Sequence, residues 1–230
     1  MTEKIIEIKN LSKKYDNGTE ALRKANLVIT PREFITLVGP SGAGKSTIIS
    51  LIVREDEPSE GEIFIAGRDI CKLQRKEIPY YRRKVGVVYQ DFKLLPQKTV
   101  FENISFALEV CDATDMDITP KVSRVIKLIG LEGKEKNYPR ELSGGEKQRV
   151  AIGRAIVNSP KILIADEPTG NLDPHHTWEI INLLTRINEK GTVVILATHN
   201  KVVVDRLKKR VIHMKNGQII SDRNQGTYLI

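Results

Sequence analysis

Cysteine, aromatic residues and long apolar runs are all scarce in this chain. Only two cysteines, Cys71 and Cys111, occur in 230 residues. They form no C-x-x-C pair and have no histidine-rich neighbourhood. A disulfide framework and a zinc ribbon are therefore excluded, and two reduced thiols remain. Aromatic residues are 5% of the chain, so the core must be built from isoleucine, leucine and valine. No apolar stretch approaches the ~20 residues of a membrane-spanning helix. The start, Met1-Thr2-Glu3-Lys4, lacks a signal-peptide pattern, and a cytosolic protein is expected. Internal repeats, low-complexity tracts and heptad coiled coils are missing too.

At 40% hydrophobic and 29% charged, the composition is that of a soluble globular protein. The net charge is +8. Its clusters are Arg75-Lys76, Arg82-Arg83-Lys84 and Arg206-Leu207-Lys208-Lys209-Arg210. Such a balance suits an anionic membrane surface or nucleic acid. No aromatic residues alternate with the last cluster, as a base-stacking platform would require. The expectation is an indirect relation to a membrane surface and no nucleic acid.

The chain does hold Gly39-Pro40-Ser41-Gly42-Ala43-Gly44-Lys45-Ser46, followed by Thr47. This is the phosphate-binding pattern G-x-x-x-x-G-K-[ST]. An apolar run, residues 34–38, precedes it, and another, residues 48–52, follows. Strand, glycine loop and helix are the context the motif needs. The glycines let backbone N–H groups approach phosphate oxygens, and the helix beginning near Lys45 adds its positive end. Lys45 is expected at the β- and γ-phosphates and the Ser46 hydroxyl on Mg²⁺. A nucleoside triphosphate, ATP, is the expected ligand.

Alternating or fully apolar runs predict strands at 5–9, 21–29, 34–38, 61–67, 85–89, 162–165 and 193–197. Helical spacing appears in Val100, Ile104, Ala107, Leu108 and Cys111, and again in Val122, Val125, Ile126 and Ile129. A loop at 112–120 is expected between those helices. Further helices are expected at 177–189 and 201–209, with a final hairpin around Lys215-Asn216-Gly217. Apolar strands alternating with helices imply an α/β fold with a mainly parallel sheet. The N-terminal β portion is antiparallel. Residues 92–158 read as an inserted helical subdomain, and 1–91 with 159–230 as the catalytic core.

Several polar residues end buried strands, where a parallel sheet meets its ligand. Asp166, closing Ile162-Leu163-Ile164-Ala165, is expected to hold Mg²⁺ through water. Glu167, next to it, would serve as general base. His199 follows the strand 193–197 and could touch the γ-phosphate. Gln90 follows the strand 85–89, and its amide could ligate Mg²⁺ or orient water.

A second motif is Leu142-Ser143-Gly144-Gly145-Glu146. Ser143 and Glu146 have the spacing of a capping box. Such a box does not need Gly144 and Gly145, which cost ~1 kcal/mol each inside a helix. Glycines there permit an anion to approach the helix end. One chain with a complete phosphate loop has little use for a second. Two chains about a twofold axis could each offer this helix to the other's ATP.

In this order, the phosphate loop, Gln90, LSGGE, ILIADEP and His199 resemble the ATP-binding subunits of ABC transporters over essentially the whole chain. The resemblance implies a P-loop ATPase that closes as a homodimer on ATP and opens after hydrolysis. It implies that Tyr15 stacks on adenine and that Asp173 lies at the dimer interface. It also implies that the helical insertion meets an integral membrane partner at the cytoplasmic face of the bacterial membrane. Glu167-Pro168-Thr169-Gly170-Asn171-Leu172-Asp173 resembles the cell-division, lipoprotein-release and macrolide-export branch. Gln90-Asp91-Phe92-Lys93-Leu94-Leu95, with Tyr80-Tyr81-Arg82-Arg83, is most similar to its cell-division members. These work with an FtsX-like membrane protein to control peptidoglycan hydrolases. An exporter ATPase and a soluble nucleic-acid-associated ATPase are the alternatives. Phe92, Leu94, Leu95, Val100 and Phe101 either form a groove for the partner or pack the insertion onto the core.

Overall fold

The protein is described by a computed structural model covering residues 3–111 and 113–228. Met1-Thr2, from the start that lacks a signal-peptide pattern, and Asp112, the first residue of the expected loop, lie outside them. Strands β1 (Ile6–Lys14) and β2 (Glu20–Ile29) form an antiparallel hairpin closed by the Tyr15 N–H to Thr19 carbonyl bond of 2.9 Å. β3 (Phe34–Val38) is buried at every position and runs into the glycine loop and α1 (Lys45–Ile52). β4 (Glu60–Ile65) and β5 (Arg68–Asp69) return to the antiparallel sheet, whose order is β2-β1-β4-β5. Next come α2 (Ile78–Arg82), β6 (Val85–Val88), α3 (Val100–Glu109), α4 (Asp115–Leu128) and α5 (Gly144–Ile156). The chain then alternates through β7 (Ile162–Asp166), α6 (Pro174–Glu189), β8 (Val193–Ala197) and α7 (Lys201–Leu207). It ends in the hairpin β9 (Arg210–Lys215) and β10 (Gln218–Arg223).

The larger sheet has the order β10-β9-β3-β8-β7-β6. β9, β3, β8, β7 and β6 are parallel and β10 is antiparallel. Buried isoleucine, leucine and valine dominate both faces, because each one is covered. One core joins α1 and the antiparallel sheet to Ile162, Ile164 and Ile195. The other joins α3, α4, α5 and α6 to Phe34, Val88, Leu163 and Val194.

The expected strands all form, most within two residues at their ends, while β1 runs on past the expected 5–9 to Lys14. Two readings need correction. Residues 112–120 are not simply a loop, since α4 begins at Asp115 and contains Pro120. Burial of Ile118, Val122, Ile126 and Ile129 along one helical face stabilises the turn that proline would otherwise discourage. α2 has no counterpart in the expected pattern. Pro79 opens it, and the Tyr81 hydroxyl donates to the Ile52 carbonyl at the end of α1.

The β9–β10 turn reaches far across the molecule. The Gly217 N–H donates to the Ala43 carbonyl at 3.2 Å, and its carbonyl accepts from the Arg23 N–H at 2.9 Å. A Cβ at Gly217 would stand 2.8 Å from the Ala21 carbonyl oxygen, so only glycine fits.

Candidate nucleotide site

Parallel pairing brings the carboxyl ends of four strands to one rim. Ala197 of β8 stands opposite Leu37 of β3 on one side and Asp166 of β7 on the other. Val88 of β6 pairs with Ala165 of β7. The segments leaving those ends therefore converge: the glycine loop, Asp166-Glu167, Thr198-His199 and Tyr89-Gln90. Tyr15, residues 40–47, Gln90, Asp166, Glu167 and His199 line one cleft of about 820 Å³, which Tyr228 also borders. Gly39 lies beneath it, where a Cβ would stand 2.3 Å from the Met214 carbonyl oxygen.

Within the loop, Gly44 holds the left-handed φ of 101° that starts α1. No side chain caps this helix, which leaves its first N–H groups free for a ligand. Lys45 is buried, and its Nζ donates to the carbonyls of Gly39 at 2.7 Å and Pro40 at 3.1 Å. The ammonium thus ties the loop to itself and is held beneath the phosphate position. Burial pushes the Asp166 carboxyl up, the neighbouring Ser46 hydroxyl pulls it down, and the Glu167 charge raises it again. Two hard oxygen donors, Ser46 and Asp166, adjoin here, a set that suits magnesium.

Glu167 has a left-handed φ of 47°, an arrangement costing ~1–3 kcal/mol in a non-glycine residue. Its N–H donates to the Ala197 carbonyl at 2.9 Å. This turn lays its carboxylate against His199, with Oε1 2.7 Å from Nδ1. Glu167 is mostly shielded while the His199 side chain is 68% exposed, so the pair opens toward solvent through the histidine. The Tyr15 ring borders the cleft with the Lys13 ammonium 5.0 Å from its centroid.

Gln90 has a neighbour that the sequence did not single out. Its Nε2 stands 3.5 Å from Asn171 Oδ1, and Asn171 Nδ2 stands 3.5 Å from the Gln90 carbonyl. Gly170 makes room, because a Cβ there would be 2.9 Å from Gln90 Nε2. Beyond Gln90, Phe92 and Lys93 adopt left-handed φ values of 58° and 47°. The Arg154 guanidinium of α5 donates to both their carbonyls, at 3.0 and 2.7 Å. Burial lowers the pKa of this arginine. Of the apolar residues nearby, Val100 is buried. Phe92, Leu94 and Phe101 pack against the core, and the half-buried Leu95 is tied through its N–H to Asn103 Oδ1 at 2.8 Å.

Ser143, Gly144, Gly145, Glu146 and Asp173 do not line the cleft. They gather instead where α5 and α6 begin. The capping box forms: Ser143 Oγ accepts from the Glu146 N–H at 3.3 Å, and Glu146 Oε2 accepts from the Ser143 N–H at 2.8 Å. A hydrogen bond from Lys134 lowers the Glu146 pKa. Gly145 has a packing reason of its own, since a Cβ would stand 2.6 Å from His176 Cδ2. Asp173 caps α6, accepting from the His176 N–H at 3.0 Å.

The family model described as ABC transporter matches residues 22–170, more than half of the chain. The chain belongs to the ABC transporter family. This ABC ATPase is 53% identical to the cell division ATP-binding protein FtsE of Streptococcus pneumoniae, over 97% of both chains. It is 51% identical to the protein of the same name from Bacillus subtilis, over 97% of this chain and 98% of that one. A solved dimeric, post-hydrolysis structure of the ATP-binding cassette MJ0796, bound to ADP and Pi, superposes with a TM-score of 0.86. That match is at 34% identity and covers 97% of this chain and 100% of the other. Among the described residues no helix is long and apolar enough to cross a membrane.

Proposed function

We propose that this ABC ATPase is the ATP-hydrolysing subunit of a bacterial cell-division complex, held at the cytoplasmic face of the membrane by an FtsX-like integral partner. The observation that carries this reading is the near-full-length identity of 53% and 51% to two proteins named FtsE. In this reading the core, 1–91 and 159–230, holds the nucleotide, and the helical part, 92–158, meets the membrane partner.

Tyr15 stacks on the adenine. Residues 39–47 cradle the phosphates through backbone N–H groups, with Lys45 neutralising the β- and γ-oxygens. The Ser46 hydroxyl, Asp166 and the Gln90 amide fit a magnesium ion, which when bound spreads the charge of the transferring phosphoryl group. Glu167 takes the proton of the attacking water. His199, 2.7 Å away, holds that carboxylate and reaches toward the γ-phosphate. Ser143, Gly144, Gly145, Glu146 and Asp173 lie outside their own cleft, which fits a role toward a second copy. ATP then closes a homodimer, and hydrolysis opens it. The MJ0796 cassette, dimeric in its ADP-and-Pi-bound structure, supports that arrangement.

The test is co-expression with the FtsX-like membrane protein of the same cell, detergent extraction and purification through that partner. Stoichiometric recovery of this chain, with ATPase activity raised by the partner, is expected. Recovery with a lipoprotein-release membrane protein instead, or stimulation by DNA or ribosomes alone, would overturn the cell-division assignment.

A further inference from the structure

One group of ligating side chains lies outside the nucleotide cleft. Asp173, His175 and His176 each present a donor atom, and these atoms all lie within 4.8 Å of one another. Two of the four histidines in the chain stand here side by side. Their rings are edge to face, 5.5 Å between centroids. Tetrahedral coordination with bonds of ~2.0–2.1 Å places donors roughly 3.3 Å apart. His176 Nδ1 is hydrogen-bonded to Asp173 Oδ2, a contact that a metal would replace. Rotation of exposed side chains reaches the required spacing without moving the backbone, because His175 is 80% exposed and Asp173 56%. Glu179 Oε1 is 3.8 Å from His175 Nδ1, but its other oxygen is held by Arg149 at 2.6 Å, so it is not counted as a ligand.

We propose that Asp173, His175 and His176 bind a divalent transition metal of the zinc class. Two imidazoles and one carboxylate suit zinc, nickel or copper and are a poor set for magnesium or calcium, which take oxygen ligands. Three protein ligands leave a coordination position open to water or to a donor from elsewhere. The positive end of α6 opposes a cation here, which limits the affinity. A second consequence rests on the dimer reading. Asp173 would face the second copy, and His176 packs on Gly145 beside Ser143. A metal that draws Asp173 toward His175 would take it from that interface, so zinc is expected to slow closure of the dimer.

The test is titration of the untagged, nucleotide-free full chain with Co²⁺, read by its visible absorption, and with Zn²⁺ by calorimetry. One ion should bind per chain with a dissociation constant below about 100 µM. His175→Ala should weaken binding at least tenfold, while the His199→Ala control should leave it unchanged. A wild-type constant above about 100 µM, the same constant in His175→Ala, or loss of binding only in His199→Ala would overturn the site. These readings need neither ATP nor a dimer, so failure of the dimer reading alone would leave binding intact. It would remove only the inhibition of ATPase activity by zinc.

Discussion

Replacing Arg154 by alanine removes the link between α5 and the loop that follows Gln90. The guanidinium donates to the Phe92 and Lys93 carbonyls at 3.0 and 2.7 Å. Hydrogen bonds involving a charged group are worth ~1.5–3 kcal/mol each, so the pair has a ceiling of about 6 kcal/mol. The Lys93 contact is exposed, and water replaces much of it, which brings the expected loss to about 2–3 kcal/mol. The two left-handed residues are then no longer held, and they relax toward ordinary backbone angles. Gln90 stands two residues before them, so the effect should reach the nucleotide cleft. In urea, the unfolding midpoint of Arg154→Ala should fall by about 1 M with an unchanged slope. Its kcat should fall more than its KM for ATP rises, because residues 39–47 are untouched. Arg154→Lys can keep one of the two contacts and should recover about half of both losses. An Arg154→Ala protein within about 0.5 kcal/mol of the parent, with an unchanged kcat, would refute the reasoning.

Other changes probe other parts of the molecule. Glu167→Gln should retain ATP in equilibrium binding while turnover falls ~10²–10⁴-fold, as for loss of a general base. Lys45→Ala should weaken ATP roughly tenfold to a hundredfold by calorimetry, because it removes a charge-assisted contact. Glu146 has a folded pKa below its ordinary 4.5, so its capping bond is fully present above that value and fades as pH falls through the lowered one. Glu146→Gln should therefore cost on the order of 1 kcal/mol in urea unfolding at pH 7, and the gap to the parent should close in acid. Gly86→Ala should lower stability by ~1–3 kcal/mol in thermal melts. Its added Cβ would stand 2.5 Å from the Ala155 carbonyl oxygen, part of a helix backbone that cannot step aside.

The parallel sheet was legible because β3, β7 and β8 carry almost uninterrupted apolar residues, which only a doubly covered sheet explains. Position at a strand's carboxyl end, readable from sequence, brought Asp166, Glu167, His199 and Gln90 to one cleft. Asn171 and Gly170 carried no such mark. Their place beside Gln90 depends on pairing between β6 and β7, some 80 residues apart, and local pattern is blind to that. The same blindness applies to Gly145, where local pattern alone points to an approaching anion. Contact with His176 already demands it, so the glycine pair by itself says less about ligands than its sequence suggested. At α4, the expected loop at 112–120 gives way to a helix, because burial of Ile118 and Val122 outweighs Pro120 in the fold.

The reach of Gly217 to Ala43 and Arg23 bears on how the protein is made. The phosphate loop is written early in the message, yet its floor includes the Met214 carbonyl. β3, which launches it, sits between β8 and β9, so both of its flanking partners are translated long after it. Contacts spanning so much sequence close slowly. A nascent chain emerging from the ribosome thus carries the glycine loop for most of its synthesis without being able to grip a nucleotide. The antiparallel sheet, whose strands all lie between Ile6 and Asp69, can form long before. ATP, for this protein, is a ligand that waits for β8 and β9, and a ribosome stalled before β9 should present a domain that is partly folded and blind to nucleotide.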